Sequence, residues 1–294
     1  MCEQKDNNLV IIGNGFDVNH GLPSSYAHFK SWLRLNGKPL YDFLERYIDV
    51  TGEWWHDFEK NLSEFNVPKL IRETPMEKRP RDPRLLPDFS TPAAWKIDEI
   101  REKITKNFTE WVKTIDGQSA KQTIDLPKAS LYISFNYTDI LERVYGINEH
   151  QILYIHGKAS RGEDLIYGHG KDENLIEHDV MQKYGLYESD DFFKAGTFGD
   201  AEYEVILHIS FLEKNPYIQL TKYDEMLRSA ITEAETVWVY GLSFSEVDVP
   251  YIEWMVERNR NLYWRVSWHT EDDKKRIKNT FESLRVREYE LFYL

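Results

Sequence analysis

The chain has 294 residues, is 41% hydrophobic and 14% aromatic, and carries a formal net charge of −13. That length supports one large α/β domain, or such a domain with a helical insertion. The acidic balance makes a nucleic-acid partner an unfavoured one, because such a protein must first neutralise phosphates. A single cysteine, Cys2, excludes a disulfide framework and a Cys-rich zinc site. With no basic and apolar leader, and no apolar run near the roughly 18 residues of a membrane span, the expectation is a cytoplasmic protein without a membrane partner.

The first element is the apolar run Leu9-Val10-Ile11-Ile12, which leads into Gly13-Asn14-Gly15-Phe16-Asp17. A buried parallel strand entering a glycine turn is how a chain is brought close to a nucleotide phosphate, with a helix N-terminus aimed at the anion. Three amphipathic helices follow, over 24–35, 39–50 and 53–65, their stripes of Tyr26, Phe29, Trp32, Leu40, Leu44, Trp55 and Phe58 set at core-facing spacing. Residues 68–92 hold six prolines, from Pro68 to Pro92, with Lys69, Arg72, Lys78, Arg79, Arg81 and Arg84 between them, and read as a loop. A long helix covers 93–115. Residues 24–125 are therefore expected to form a helical insertion or cap on a core built from 1–23 and 126–294.

That core resumes with strands at 129–135, 151–155, 237–240, 263–268 and 286–290, alternating with helices at 138–145, 222–234, 249–258 and 271–284. Thr138 or Asp139 is placed to cap the first of these helices. Leu165-Ile166-Tyr167 reads as a short strand, and the rest of 162–199 has no clear assignment. Strand–helix alternation means right-handed crossovers and a Rossmann-like parallel sheet. Its ligands belong at the C-terminal strand ends.

The polar residues converge on that edge. They are Gly13, Asn14, Gly15 and Asp17 after the first strand, Asn136 after the second and His156 after the third. Gly241, Ser243, Ser245 and Asp248 follow the fourth, and Ser267 with His269 ends the fifth. Strand ends scattered in sequence meet in space, which suits a nucleotide cleft.

The wording of these segments resembles a known family. Gly13-Asn14-Gly15-Phe16-Asp17 with Gly21-Leu22-Pro23, Phe135-Asn136-Tyr137, Ile155-His156-Gly157 and Gly241-Leu242-Ser243-Phe244 resemble, in order, the opening and the Q-N-I, H-G and G-T-S-L elements of sirtuins. The resemblance to the phage abortive-infection AbiH family is closer. It rests on Ile11 to Asp17 with His20 to Tyr26, Trp55-His56-Asp57-Phe58-Glu59, Phe135 to Thr138 with Leu141-Glu142 and Tyr145-Gly146, Ile155 to Lys158, Tyr167 to Gly170, and Tyr240 to Ser243 with Val247-Asp248 and Tyr251.

The resemblance implies a sirtuin-like core that binds NAD and, in defence, hydrolyses it. Gly13, Asn14, Gly15, Phe16 and Asp17 would hold the pyrophosphate end. Asn136 would position water or the nicotinamide ribose, and His156 would act as general base. Gly241 and Ser243 would reach phosphate or ribose, with Ser267 and His269 near the adenosine. Asp17 would either cap the helix through backbone amides or face the sugar as an electrostatic partner. Glu59 is an accessory candidate or a solvated or capping carboxylate; His169 is an accessory candidate or a loop histidine facing water; Asp248 is a third accessory candidate.

Cleavage of NAD builds an oxocarbenium-like sugar beside a neutral leaving group, so a placed water, a weak base and a nearby carboxylate or amide suffice. No metal is expected: the chain has neither H-E-x-x-H nor paired carboxylates at helical spacing. It also lacks the four zinc cysteines of sirtuins and the arginine after their G-I-P element, so protein deacylation is not expected. Two other readings stay open, a nucleotide sensor without catalysis and a metal-dependent nuclease. A homo-oligomer, and a phage-derived trigger releasing an inhibited resting state, are the expected partners, with the helices around Trp54 and Trp95 as contact candidates.

Overall fold

The computed structural model describes residues 7–74, 91–115, 120–129, 131–184 and 198–294. Cys2, Pro75, Pro80, Pro83, Pro87 and the basic residues Lys78, Arg79, Arg81 and Arg84 lie outside them. The chain divides into two compact units, one of Met1–Ser25, Thr109–Ile166 and Asn215–Leu294, the other of Tyr26–Phe108 and Tyr167–Lys214. Residues 167–214, placed with the core on sequence grounds, pack with the helices of the second unit.

The first unit is built on six parallel strands, β1 (Asn8–Ile12), β2 (Leu131–Ser134), β3 (Ile152–Tyr154), β4 (Thr236–Tyr240), β5 (Tyr263–Trp268) and β6 (Tyr289–Tyr293). Their order is 3-2-1-4-5-6. β1 is central, with Leu9 opposite Leu131 on one side and Val237 on the other. Both faces of its apolar run are buried, as a parallel sheet covered by helices requires. Leu9 and Ile11 join Ile133, Val239 and Val266 beneath Leu227, Tyr251, Ile252, Met255 and Phe281. Val10 and Ile12 pack on the other face with Phe16, Leu22, Tyr132, Ile140 and Leu141. Each such side chain contributes roughly 1.5–3 kcal/mol by leaving water. The last strand sits three residues later than the apolar pattern suggested, because Val286 closes the preceding helix, donating its N–H to Phe281 O.

The second unit is helical. Tyr26–Asn36, Lys38–Tyr47, Val67–Glu73, Thr91–Lys113 (up to Phe108), Glu173–Tyr184 and Phe198–Ser210 are its main elements. Pro68 starts the Val67–Glu73 helix rather than breaking it, since its missing N–H is an unpaired one there anyway. The helix expected over 53–65 is two short turns, Trp54–Asp57 and Phe58–Asn61. Asn61 Nδ2 donates to the Trp54 carbonyl at 2.9 Å, tying the end of the second turn to the start of the first. Trp54 and Trp55 then stack at 4.3 Å, and Trp55 lies parallel to Phe58 at 5.4 Å. Leu165–Tyr167 is not a strand. None of the described helices is long and apolar enough to cross a membrane.

Candidate functional site

The order 3-2-1-4-5-6 reverses direction between β1 and β4, so the crevice at their C-terminal ends is where a doubly wound sheet offers a ligand site. Gly13, Gly15 and Gly241 line that seam. A Cβ on Gly13 would lie 2.6 Å from Gly241 O, and one on Gly241, whose φ is +65, would lie 2.2 Å from Phe16 N. These glycines let two backbones touch. The contact uses their amides: Gly13 N donates to Tyr240 O at 2.8 Å and Gly15 N to Gly241 O at 2.9 Å. The backbone N–H groups of two residues expected to hold the pyrophosphate, Gly13 and Gly15, are therefore engaged within the protein. Gly241 N in turn donates to Ser267 Oγ at 2.8 Å, so the buried Ser267 secures the same seam. Asn14 is exposed at this turn, while Phe16 is buried against His20, with ring centres 4.3 Å apart.

The side chain of Asp17 neither caps its helix nor points outward. It is buried, and its two oxygens hold the loop after β2. Asn136 Nδ2 donates to Oδ1 at 2.7 Å and Thr138 Oγ1 to Oδ2 at 2.6 Å. Thr138 is thus an Asp17 ligand rather than a cap, and Asp139, the residue before the next helix, makes no side-chain cap bond either. Burial, opposed by the Thr138 and Asn136 bonds and assisted by the nearby Asp139 charge, pushes the Asp17 carboxyl up to about 7. Asn136 Nδ2 also reaches Gly13 O at 3.1 Å. Its Oδ1 is buried with no hydrogen-bond partner among the described residues.

His156 follows β3 and is buried. Its Nδ1 lies 3.4 Å from Phe135 O and its Nε2 3.2 Å from Tyr251 OH. A carbonyl only accepts, so this contact assigns the proton to Nδ1 and leaves Nε2 as the basic nitrogen facing the tyrosine. Phe135 and Tyr251 stand edge-on to the imidazole at 5.0 and 5.8 Å. Tyr251 had no role in the sequence reading, although it ends the Tyr240-to-Tyr251 motif, and that spacing was the available signal.

The remaining candidates fall into separate groups. Ser243 and Ser245 both donate to Asp248 Oδ2, at 2.6 and 3.0 Å, forming a closed turn before the helix Val249–Arg258. Phe244 within it has a φ of 52, a left-handed conformation costing about 1–2 kcal/mol. His269 is exposed and stacks on Tyr293 at 5.6 Å.

Glu59 and His169 belong to the helical unit. Glu59 accepts from Tyr26 OH at 2.6 Å and from Lys214 Nζ at 3.1 Å. With side chains 13% and 5% exposed, Glu59 and Lys214 form a buried ion pair, so Glu59 is not a solvated carboxylate. No sequence signal marked Lys214. His169 is not a loop histidine facing water: it is fully buried, its Nε2 3.0 Å from Ile209 O and its Nδ1 accepting from Lys171 N at 3.3 Å. Desolvation lowers its pKa, which keeps the ring neutral. Among the described residues, no three His, Cys, Asp or Glu side chains gather as a metal ion would need.

The motif residues also bond to one another across the sheet unit. Asp17 holds Asn136 and Thr138, His20 Nε2 lies 2.6 Å from Tyr145 OH, Lys158 Nζ donates to Glu142 Oε1 at 2.6 Å, and His156 meets Tyr251. A doubly wound parallel sheet with a buried polar network along its C-terminal edge defines a Rossmann-like α/β protein. Within that class the chain belongs to the bacteriophage abortive infection AbiH family, whose family model matches residues 9–268. None of the curated proteins compared matches it. The family places the chain in anti-phage defence by abortive infection.

Proposed function

We propose that this abortive-infection protein hydrolyses the N-glycosidic bond of NAD, releasing nicotinamide and ADP-ribose. The observation that carries the reading is the buried Asn136 Oδ1, unpaired among the described residues, beside the Asp17 carboxyl at the switch point of a 3-2-1-4-5-6 sheet. A buried acceptor without a partner is costly unless a bound molecule or water donates to it. In this reading the C1′–N bond breaks and its electron pair leaves with nicotinamide. Water adds to C1′, and its proton passes to His156 Nε2, beside the Tyr251 hydroxyl. Asp17 supplies negative charge near the developing cation. Pyrophosphate takes other contacts than the Gly13 and Gly15 amides. An inhibited resting state, released by a phage-derived trigger, is part of the same proposal, since free NAD hydrolysis would kill the host.

The test is nicotinamide release from NAD by the purified protein, beside Asn136→Ala and His156→Ala. Turnover in the wild type, lost in both variants with NAD protection against heat retained, supports the reading. Heat protection by NAD without turnover, in resting and phage-exposed cell preparations alike, supports a sensor instead. Neither turnover nor protection removes NAD as the ligand.

A further inference from the structure

The amide of Asn136 has a defined orientation. Both near neighbours of its Nδ2, Asp17 Oδ1 at 2.7 Å and Gly13 O at 3.1 Å, are acceptors. A flipped amide would set an oxygen against both of them. The Nδ2 end is therefore fixed, and Oδ1 is left unpaired and buried, in a residue only 4% exposed. Asp17 is itself held from the other side by Thr138 at 2.6 Å. A short chain of contacts thus runs from Thr138 through Asp17 to Asn136 and ends in an acceptor that meets no donor among the described residues.

We propose that Asp17 is the positioning residue of this site, locking the Asn136 amide so that its oxygen is presented to a hydrogen-bond donor, a sugar hydroxyl rather than a phosphate, on the bound molecule. The sugar follows from charge and chemistry. A phosphate oxygen has no proton to give Asn136 Oδ1 and would meet the Asp17 charge behind it, whereas a ribose hydroxyl donates and the cationic base it carries is attracted. This rests on the NAD reading for the identity of the ligand, but the lock itself does not.

The lock and the charge of Asp17 are separable. An asparagine at position 17 keeps an oxygen for Asn136 Nδ2 and turns its own N–H towards Thr138 Oγ1, so the orientation survives while the charge is lost. Alanine removes both. Among the described residues, Asp139 and His20 are titratable neighbours of Asp17. Asp139 opposes its ionisation from the loop after β2. His20, at the end of Asp17's own helix, is kept neutral by desolvation, its Nδ1 lying 2.7 Å from Phe16 O.

The experiment is side-chain amide NMR on the full chain labelled with 15N-asparagine, with the Asn136 signal assigned by its loss in Asn136→Ala. It is followed from pH 5.5 to 8.5 in wild type, Asp17→Asn and Asp17→Ala. The expected result is a slowly exchanging Asn136 NH2 pair in wild type and Asp17→Asn, which moves with pH only in the wild type. In Asp17→Ala it should exchange at least about tenfold faster. An Asn136 amide that exchanges equally fast in all three overturns the proposal.

Nicotinamide release gives the second arm. Turnover should rise about tenfold with pH through 7 in wild type, stay at the low-pH level in Asp17→Asn, and be lower still in Asp17→Ala. Wild-type and Asp17→Asn profiles that coincide overturn the part played by the charge while leaving NAD hydrolysis standing. A protected, Asp17-dependent amide in a protein that NAD neither protects against heat nor serves as substrate, in resting and phage-exposed preparations alike, keeps the lock and removes the NAD reading.

Discussion

At the scale of single residues, the buried carboxyls decide how the protein responds to pH. Asp17 and Glu202 are both buried, and desolvation pushes each to about 7, from ordinary values of 3.8 and 4.5. The folded state therefore binds these protons more tightly than the unfolded chain. The stability they confer is complete below about pH 4 and is lost as pH rises through 7. For Asp17 the loss is on the order of a few kcal/mol. Urea midpoints should fall between pH 5.5 and 8.5, and Asp17→Asn, at least as stable as wild type at pH 8.5, should flatten that fall. A midpoint independent of pH in wild type would contradict the burial of both groups. Lys214 gives a second residue-scale prediction. Lys214→Met leaves Glu59 charged in a buried place and should cost about 3–5 kcal/mol, part of which returns in Glu59→Leu/Lys214→Met, as a double-mutant cycle of denaturation midpoints would measure.

Among the elements, the seam between the β1 and β4 turns is the least forgiving. Gly241→Ala puts a methyl 2.2 Å from Phe16 N and should leave little folded protein. Gly52→Ala, at a φ of +87 with nothing within 4 Å, should cost only about 1–2 kcal/mol by the same urea measurement. The two substitutions look alike in sequence. The strands were legible because their apolar runs end in glycine or polar turns. β5 and the helix Val249–Arg258 fall where periodicity puts them. The break at Trp54–Asn61 was not legible, since the apolar spacing through it is that of a continuous helix, and the Asn61 bond to the Trp54 carbonyl joins its two turns only in the fold.

The polar strand ends were legible as an edge, but not as a wiring diagram. Asp17 read equally well as a helix cap, because only the fold sets Asn136 and Thr138 against it. Nothing in the local pattern around Lys214 or Tyr251 said which carboxylate or imidazole each would meet. Glycines after a strand suggested phosphate contact, yet at Gly13 and Gly15 the close approach is to another backbone. Both uses need a missing Cβ, so composition does not separate them.

For the molecule as a whole, the net charge of −13 sets what it will gather from its surroundings. Retention of a DNA or RNA duplex in a filter assay near 0.15 M salt should be negligible. Measurable binding there would revive the nuclease reading.

The strand order also has a consequence for synthesis. β1 emerges before the partners it needs: Asn8 bonds to Lys128 across 120 residues, and Asn7 to Glu235 across 228. The ribosome must deliver both segments before the central strand has its two neighbours, and the later one before Gly13 meets Gly241. Closing such distant contacts is slow. The crevice is thus among the last features to exist, and a chain that stops short of β4 cannot possess it.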